Sequence, residues 1–210
     1  MRDRNAPLGE ADLGGLAWDK MDGLLPAAVQ DVGTGQLLML GYMDREALAA
    51  TLSSGLATFY SRSKARLWRK GETSGHTLSV SAVYADCDDD ALLVHAVPAG
   101  PTCHLGTTSC FGETSGVGVG FLGRLVRIVH DRAGTGDPAS YTNRLLTEGP
   151  ERIAQKIGEE GVEVALAAVT RDAAGCAEET ADLVYHLTVL MEARGYGWDD
   201  VASVLQRRHD

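Results

Sequence analysis

Three of the four cysteines, Cys87, Cys103 and Cys110, fall within 24 residues, and Cys176 stands apart. The first lies inside Asp86-Cys87-Asp88-Asp89-Asp90, where carboxylates crowd a thiol. Thiolates favour Zn2+, whereas hard carboxylate oxygens favour Mg2+ or Ca2+. In an extended stretch alternate side chains share a face, so Asp86, Asp88 and Asp90 are expected on one side and Cys87 and Asp89 on the other. Three like charges on one face repel unless a cation neutralises them. Three protein ligands with a fourth position left to water form a catalytic Zn2+ site, whose bound water has a pKa near ~7. His104, beside Cys103, is placed to act as acid or base, because imidazole titrates near neutrality. The cysteine spacing is neither a finger nor a ribbon spacing. On spacing alone, three reduced thiols beside a solvated acidic turn remain an equal reading.

A second constellation lies in the other half of the chain. Glu160-x-x-Glu163 and Glu179-x-x-Asp182 each place two acids three apart, hence side by side on a helix. Lys156, Glu160 and Glu163 fall in one helical sector, bordered by Ile153, Ile157 and Val164. Glu179, Asp182 and His186 form a similar sector beside Leu183, Leu187 and Leu190. If the two helices pack as an antiparallel hairpin, four carboxylates converge partly buried, which is costly unless they are paired. Mg2+ neutralises such a set and bridges phosphate oxygens. Two solvated helix faces with ordinary ion pairs are the competing reading.

The elements that position these groups differ between the halves. Two apolar runs flank the turn Asp31–Gly35, which predicts a β-hairpin. Asp44 is placed to cap a helix from Arg45 to about Ser54, closed by Gly55. Strands are expected at 57–61, Leu78–Ala85 and Leu92–Val97, with a long polar loop over 61–76 and a loose start over residues 1–22. From Gly112 to Gly123 the chain is glycine-rich and reads as a linker. Its Gly118-x-Gly120-x-x-Gly123 run lacks the strand and the later acid of a dinucleotide-binding fingerprint. Helices are expected at 121–131, 140–148, 151–171, 177–194 and 199–208. Strand-rich followed by helix-only predicts two domains: an N-terminal α+β domain rich in β-structure, at 1–111, a linker at 112–120, and an all-α bundle at 121–210. Trp18 and Trp198 are expected to pack.

Composition narrows the field. With 19 Lys and Arg against 29 Asp and Glu, the net charge is −10, which disfavours nucleic acid as a partner. No run approaches the ~18 apolar residues of a membrane span. The first 20 residues hold no apolar core of a secretory signal, so a cytoplasmic location with reduced cysteines is expected.

The segments VQD, GYM, SRSKARLWRKGETSGH, DCDDDALLVH and GPTCHLGTTSCF resemble the signatures of phosphoribosyl-AMP cyclohydrolase over about residues 20–112. The resemblance implies a homodimer in which Zn2+ is held by Cys87 of one subunit and Cys103 and Cys110 of the other. It also implies Mg2+ on Asp86, Asp88 and Asp90, and hydrolytic opening of the purine ring. Arg62, Lys64, Arg69 and Lys70 then become expected phosphate partners, with Trp68, Thr73, Ser74 and His76 completing the substrate loop. His76 and Lys64 stand where many members carry Asn and Arg.

SYTNRLLTEGPERIAQKIGEEGVEVALA and EETADLVYHLTVLM resemble phosphoribosyl-ATP pyrophosphohydrolase, a MazG-like all-α nucleotide pyrophosphatase, over about 121–208. This resemblance implies Mg2+ on Glu160, Glu163, Glu179 and Asp182, with Glu159 or His186 orienting water and Lys156 or Arg152 holding phosphate. It, too, implies a dimer. Together the halves resemble a bifunctional hydrolase of histidine biosynthesis acting on phosphoribosyl-ATP and then phosphoribosyl-AMP. A general nucleotide-triphosphate pyrophosphatase with a non-catalytic zinc-binding N-terminal domain is the alternative.

Overall fold

The computed structural model describes residues 3–112 and 118–209, and the chain divides into two units, Met1–Phe121 and Leu122–Asp210. In the first, β1 (Leu25–Asp31) and β2 (Leu37–Met43) form the expected antiparallel hairpin. Its turn is closed by the Gly35 N–H donating to the Asp31 carbonyl at 2.8 Å and the Gly33 N–H donating to the Asp31 carboxylate at 2.9 Å. Helix α1 (Arg45–Ser54) follows. Asp44 caps it by accepting from the Ala47 N–H at 2.7 Å, and Gly55 ends it in the left-handed region.

The next strands are β3 (Thr58–Ser61), β4 (Arg66–Arg69), β5 (Leu78–Ala85) and β6 (Leu92–Pro98). The main sheet has the order β2-β1-β6-β5, with β1 and β6 parallel and the other neighbours antiparallel. Alternation along β1 and β6 turns Leu25, Ala27, Val29, Leu92, Val94 and Ala96 inward, onto a core shared with Ala47 and Leu48 of α1 and with Phe59.

Two expectations fail here. The stretch 61–76 is not all loop: Arg66–Arg69 pairs with Thr58–Ser61 as a two-stranded sheet, Phe59 opposite Trp68. The polar residues masked the strand because the short hairpin is half exposed and buries mainly Phe59 and the Trp68 flank. The start of the chain is not loose either. Leu8, Leu16 and Trp18 are buried, short 3-10 turns span Glu10–Gly15 and Trp18–Met21, and the Leu8 N–H donates to the Val83 carbonyl at 2.7 Å. These apolar residues follow no helical or strand period, so only the tertiary fold buries them.

Gly41 shows how closely the hairpin packs on the sheet. A Cβ there would lie 2.4 Å from the Phe59 ring, which is fully buried and sits 5.5 Å from the Trp68 ring centre. Gly41→Ala is expected to cost about 1–3 kcal/mol, read as an earlier urea transition of the N-terminal unit by tryptophan fluorescence.

The second unit is helical: α2 (Gly120–Thr135), α3 (Tyr141–Glu148), α4 (Pro150–Thr170), α5 (Ala173–Arg194) and α6 (Trp198–His209). Residues 113–117 of the expected linker lie outside the described residues, and its last glycines are already helical in α2. Helix α5 starts at Ala173, not 177, because the Asp172 carboxylate accepts from the Gly175 N–H at 3.0 Å and draws Ala173–Cys176 into the helix. Gly195 ends α5 in the left-handed region. Val129, Leu145, Ile153 and Val189 form the core of this unit. Trp198 donates from its indole to the Thr188 hydroxyl at 3.3 Å, and Trp18 donates to the Leu13 carbonyl at 2.8 Å. Among the described residues no helix is long and apolar enough to cross a membrane.

Candidate functional site

In the N-terminal unit a pocket of about 350 Å³ is lined by Met39, Trp68, Lys70, Ser74, His76, Pro101, Thr102, Cys103, His104, Gly106 and Cys110. The loop after β6 supplies both cysteines, and the Cys110 N–H anchors it by donating to the Leu38 carbonyl at 2.8 Å. Cys103 is buried, at 8% exposure, and lines the pocket together with Cys110. The Leu105 N–H, then the Thr107 side chain, holds Cys103 below the ordinary thiol range. Partial burial of the Cys110 thiol, reinforced by Cys103, pushes that group up, although the residue as a whole is exposed. Lys70 favours the thiolate at both positions. The His104 Nδ1 lies 4.0 Å from the Cys103 sulfur.

The β4–β5 connection shapes the opposite wall. Gly71 has φ +82°, and a Cβ there would lie 2.5 Å from the His76 backbone, so this close approach needs glycine. Trp68, Lys70, Ser74 and His76 reach the pocket lining, but Arg62, Lys64, Arg69 and Thr73 do not. Arg62 instead stacks over the Tyr42 ring at 4.0 Å.

Cys87 lies elsewhere. It is exposed just beyond β5 and lines a separate hollow with Asp3, Arg4, Asn5 and Asp86. The three cysteines do not converge within one chain. The alternating arrangement expected for the aspartates also fails, because the strand ends at Ala85 and the chain turns, with Asp89 at φ +61°. The Asp86 carboxylate accepts from the N–H groups of Asp90 and Ala91 at 3.0 and 3.2 Å. This brings potential ligand atoms of Asp86, Cys87 and Asp88 within 4.8 Å of one another, without Asp90. Lys20 spans Asp88 and Asp90 at 2.6 and 3.3 Å, and its ammonium lowers the Asp88 pKa. Lys20 precedes Asp88 by 68 residues, and no sequence signal links them.

In the C-terminal unit α4 and α5 are joined by only Arg171 and Asp172, so they run antiparallel and their acidic sectors meet. Potential ligand atoms of Glu160, Glu179 and Asp182 lie within 4.8 Å of one another, without Glu163. Glu160 is 5% exposed, with Lys156 at 2.9 Å and His186 Nδ1 at 3.7 Å. Lys156 keeps Glu160 below the usual carboxylate range, and Glu160 in turn raises Glu163. As the pH falls, Glu163 takes up a proton before Glu160. Glu159 is exposed, bonded to Lys156 at 2.8 Å and Gln155 at 2.9 Å, and sits outside the converging set.

Two residues at this site were not named as candidates from the sequence: Arg171, paired with Glu179, and Tyr141, which lies in the SYT segment of the resemblance. His186 is buried, and its Nδ1 lies 2.8 Å from the Asp182 carbonyl, an acceptor only, so that nitrogen carries hydrogen. Its Nε2 lies 3.1 Å from the Tyr141 hydroxyl.

Comparison with known proteins follows the same division. Residues 39–112 match the phosphoribosyl-AMP cyclohydrolase family and 122–209 the phosphoribosyl-ATP pyrophosphohydrolase family. The chain is 50% identical over 200 residues to the histidine biosynthesis bifunctional protein HisIE of Shewanella oneidensis, covering 95% of this chain and 94% of that protein. With HisIE of Xylella fastidiosa it shares 55% identity over 194 residues, 92% and 93% of the two chains. With that of Escherichia coli it shares 50% over 194 residues, 92% and 95%.

The chain belongs to the HisIE family. As a HisIE protein it is a bifunctional hydrolase of histidine biosynthesis, with a cyclohydrolase and a pyrophosphohydrolase domain. The thiol pocket lies in the HisIE cyclohydrolase domain, and the carboxylate cluster lies in its pyrophosphohydrolase domain.

Proposed function

We propose that the C-terminal domain releases pyrophosphate from phosphoribosyl-ATP with Mg2+ on Glu160, Glu163, Glu179 and Asp182. The N-terminal domain then opens the purine ring of phosphoribosyl-AMP. Its Zn2+ is held by Cys103, Cys110 and the Cys87 of a second copy, and Mg2+ sits at Asp86, Asp88 and Asp90. The protein works as a homodimer in the cytoplasm. One observation carries this reading: each catalytic domain gathers its own donor set, thiols in one and carboxylates in the other. Soft and hard donors fit these two metals.

When bound, Zn2+ supplies hydroxide at neutral pH. The chain does the rest in the N-terminal pocket. Trp68, Met39 and Pro101 give a wall for a flat base, Lys70 and Ser74 hold phosphate, and His104 moves the proton that ring opening requires. His76, in the lining, and Arg62, Lys64, Arg69 and Thr73, outside it, serve the same substrate. In the C-terminal domain Lys156 holds phosphate, and Glu159, kept ionised by Lys156, or His186 orients the attacking water.

Complementation tests the shared site. Cys87→Ala and Cys103→Ala chains are each expected to lack ring opening. A mixture dissociated and reassembled regains about a quarter of wild-type activity, because half the dimers are mixed and each holds one intact site. Two folded variants that form mixed dimers without regaining activity would remove Cys87 from the shared site. Zinc content of the dimer and its mass by sedimentation accompany the assay.

A further inference from the structure

Thr102 carries a buried hydroxyl that the mechanism above does not use. The residue is 2% exposed and forms part of the lining of the thiol pocket. Its Oγ1 is the one buried side-chain oxygen or nitrogen among the described residues without a hydrogen-bond partner. The same loop satisfies its other hydroxyls: Thr107 donates to the Ser109 carbonyl at 2.7 Å, and Ser109 donates to the Leu37 carbonyl at 2.7 Å. The Thr102 N–H is also engaged, donating to the Thr108 carbonyl at 3.3 Å. The loop thus supplies partners for the groups around this hydroxyl and none for the hydroxyl itself.

A buried hydroxyl without a partner is destabilising, and valine fills the same space without the penalty. A partner from outside the chain would remove that penalty, and the pocket indicates the kind. The apolar part of the lining, Met39, Trp68 and Pro101, suits the faces of a flat heterocycle, while Lys70 suits a phosphate. A neutral hydroxyl both donates and accepts. That matches the mixed N–H and nitrogen edge of a purine better than a phosphate dianion, which calls for cations.

We propose that Thr102 is a substrate-binding, specificity-determining residue whose hydroxyl hydrogen-bonds the nitrogen edge of the purine ring that is opened. This rests on the pocket being the cyclohydrolase site. The test compares Thr102→Val and Thr102→Ser with Cys103→Ser in the full chain, with pyrophosphate release as the internal control.

Thr102→Val is expected to keep its zinc content, to unfold at the same or a higher temperature, and to leave pyrophosphate release unchanged. Its kcat/KM for ring opening falls about ten- to a hundredfold, mainly through KM, and Thr102→Ser retains most of the wild-type value. Wild-type kcat/KM in Thr102→Val overturns the proposal. So does an equal loss in Thr102→Ser accompanied by a lower unfolding temperature, which marks a packing role. If Cys103→Ser itself keeps ring opening, the site assignment fails and the proposal falls with it. If Cys103→Ser is inactive and Thr102→Val is fully active, the proposal alone fails.

Discussion

Cys103→Ala is expected to lower kcat/KM for ring opening by at least about a thousandfold, roughly 4 kcal/mol of transition-state stabilisation, and to leave pyrophosphate release at the wild-type rate. The residue is buried and held toward thiolate by the Leu105 N–H and the Thr107 side chain. Among the described residues only Cys110 joins it in this pocket, so no third thiol of the same chain is at hand to replace it. The change removes one sulfur from a loop fixed independently by Cys110, Ser109 and Thr108, so the fold survives. Quenched assays of ring-opened product and of pyrophosphate on the same preparation give both readings. Ring opening above a tenth of wild type would take the thiol out of the chemistry, and loss of both activities would mean that the domains depend on one another.

Glu160→Gln is expected to have the reverse effect: pyrophosphate release falls at least about a thousandfold, and ring opening of supplied phosphoribosyl-AMP is unchanged. Glu160 is the most buried member of the carboxylate set and the point where Lys156, Glu163 and His186 meet. Glutamine keeps its volume but removes the charge that pairs with Lys156. Mn2+ or Mg2+ titration followed by calorimetry should show weaker binding to the C-terminal domain. Circular dichroism should show the helices intact, since the core residues Val129, Leu145, Ile153 and Val189 are untouched. A variant that binds metal as wild type but has lost activity would make Glu160 a general base and not a ligand.

Much of this architecture is written locally. Strand β5 and helices α3, α4 and α6 begin and end within one residue of where alternation, caps and glycines place them. The pairing of acids three apart on two successive helices already implies convergence, because a short turn leaves the helices no arrangement but an antiparallel one. The resemblance of the motif segments to two enzyme families added the two activities.

The amino-acid sequence by itself therefore determined the two-part organisation, the helical carboxylate pairs, and which cysteines cluster along the chain. Tertiary structure alone decided which groups meet. It turned Asp86–Asp90 back on itself in place of an extended ladder, put Lys20 on Asp88 and Asp90, and buried Leu8, Leu16 and Trp18. It also set Cys87 apart from Cys103 and Cys110 and left the Thr102 hydroxyl without a partner. The physical reason is range. Periodicity, caps and turn residues act over a few positions, whereas side-chain encounters tens of residues apart depend on where the packed core carries each loop.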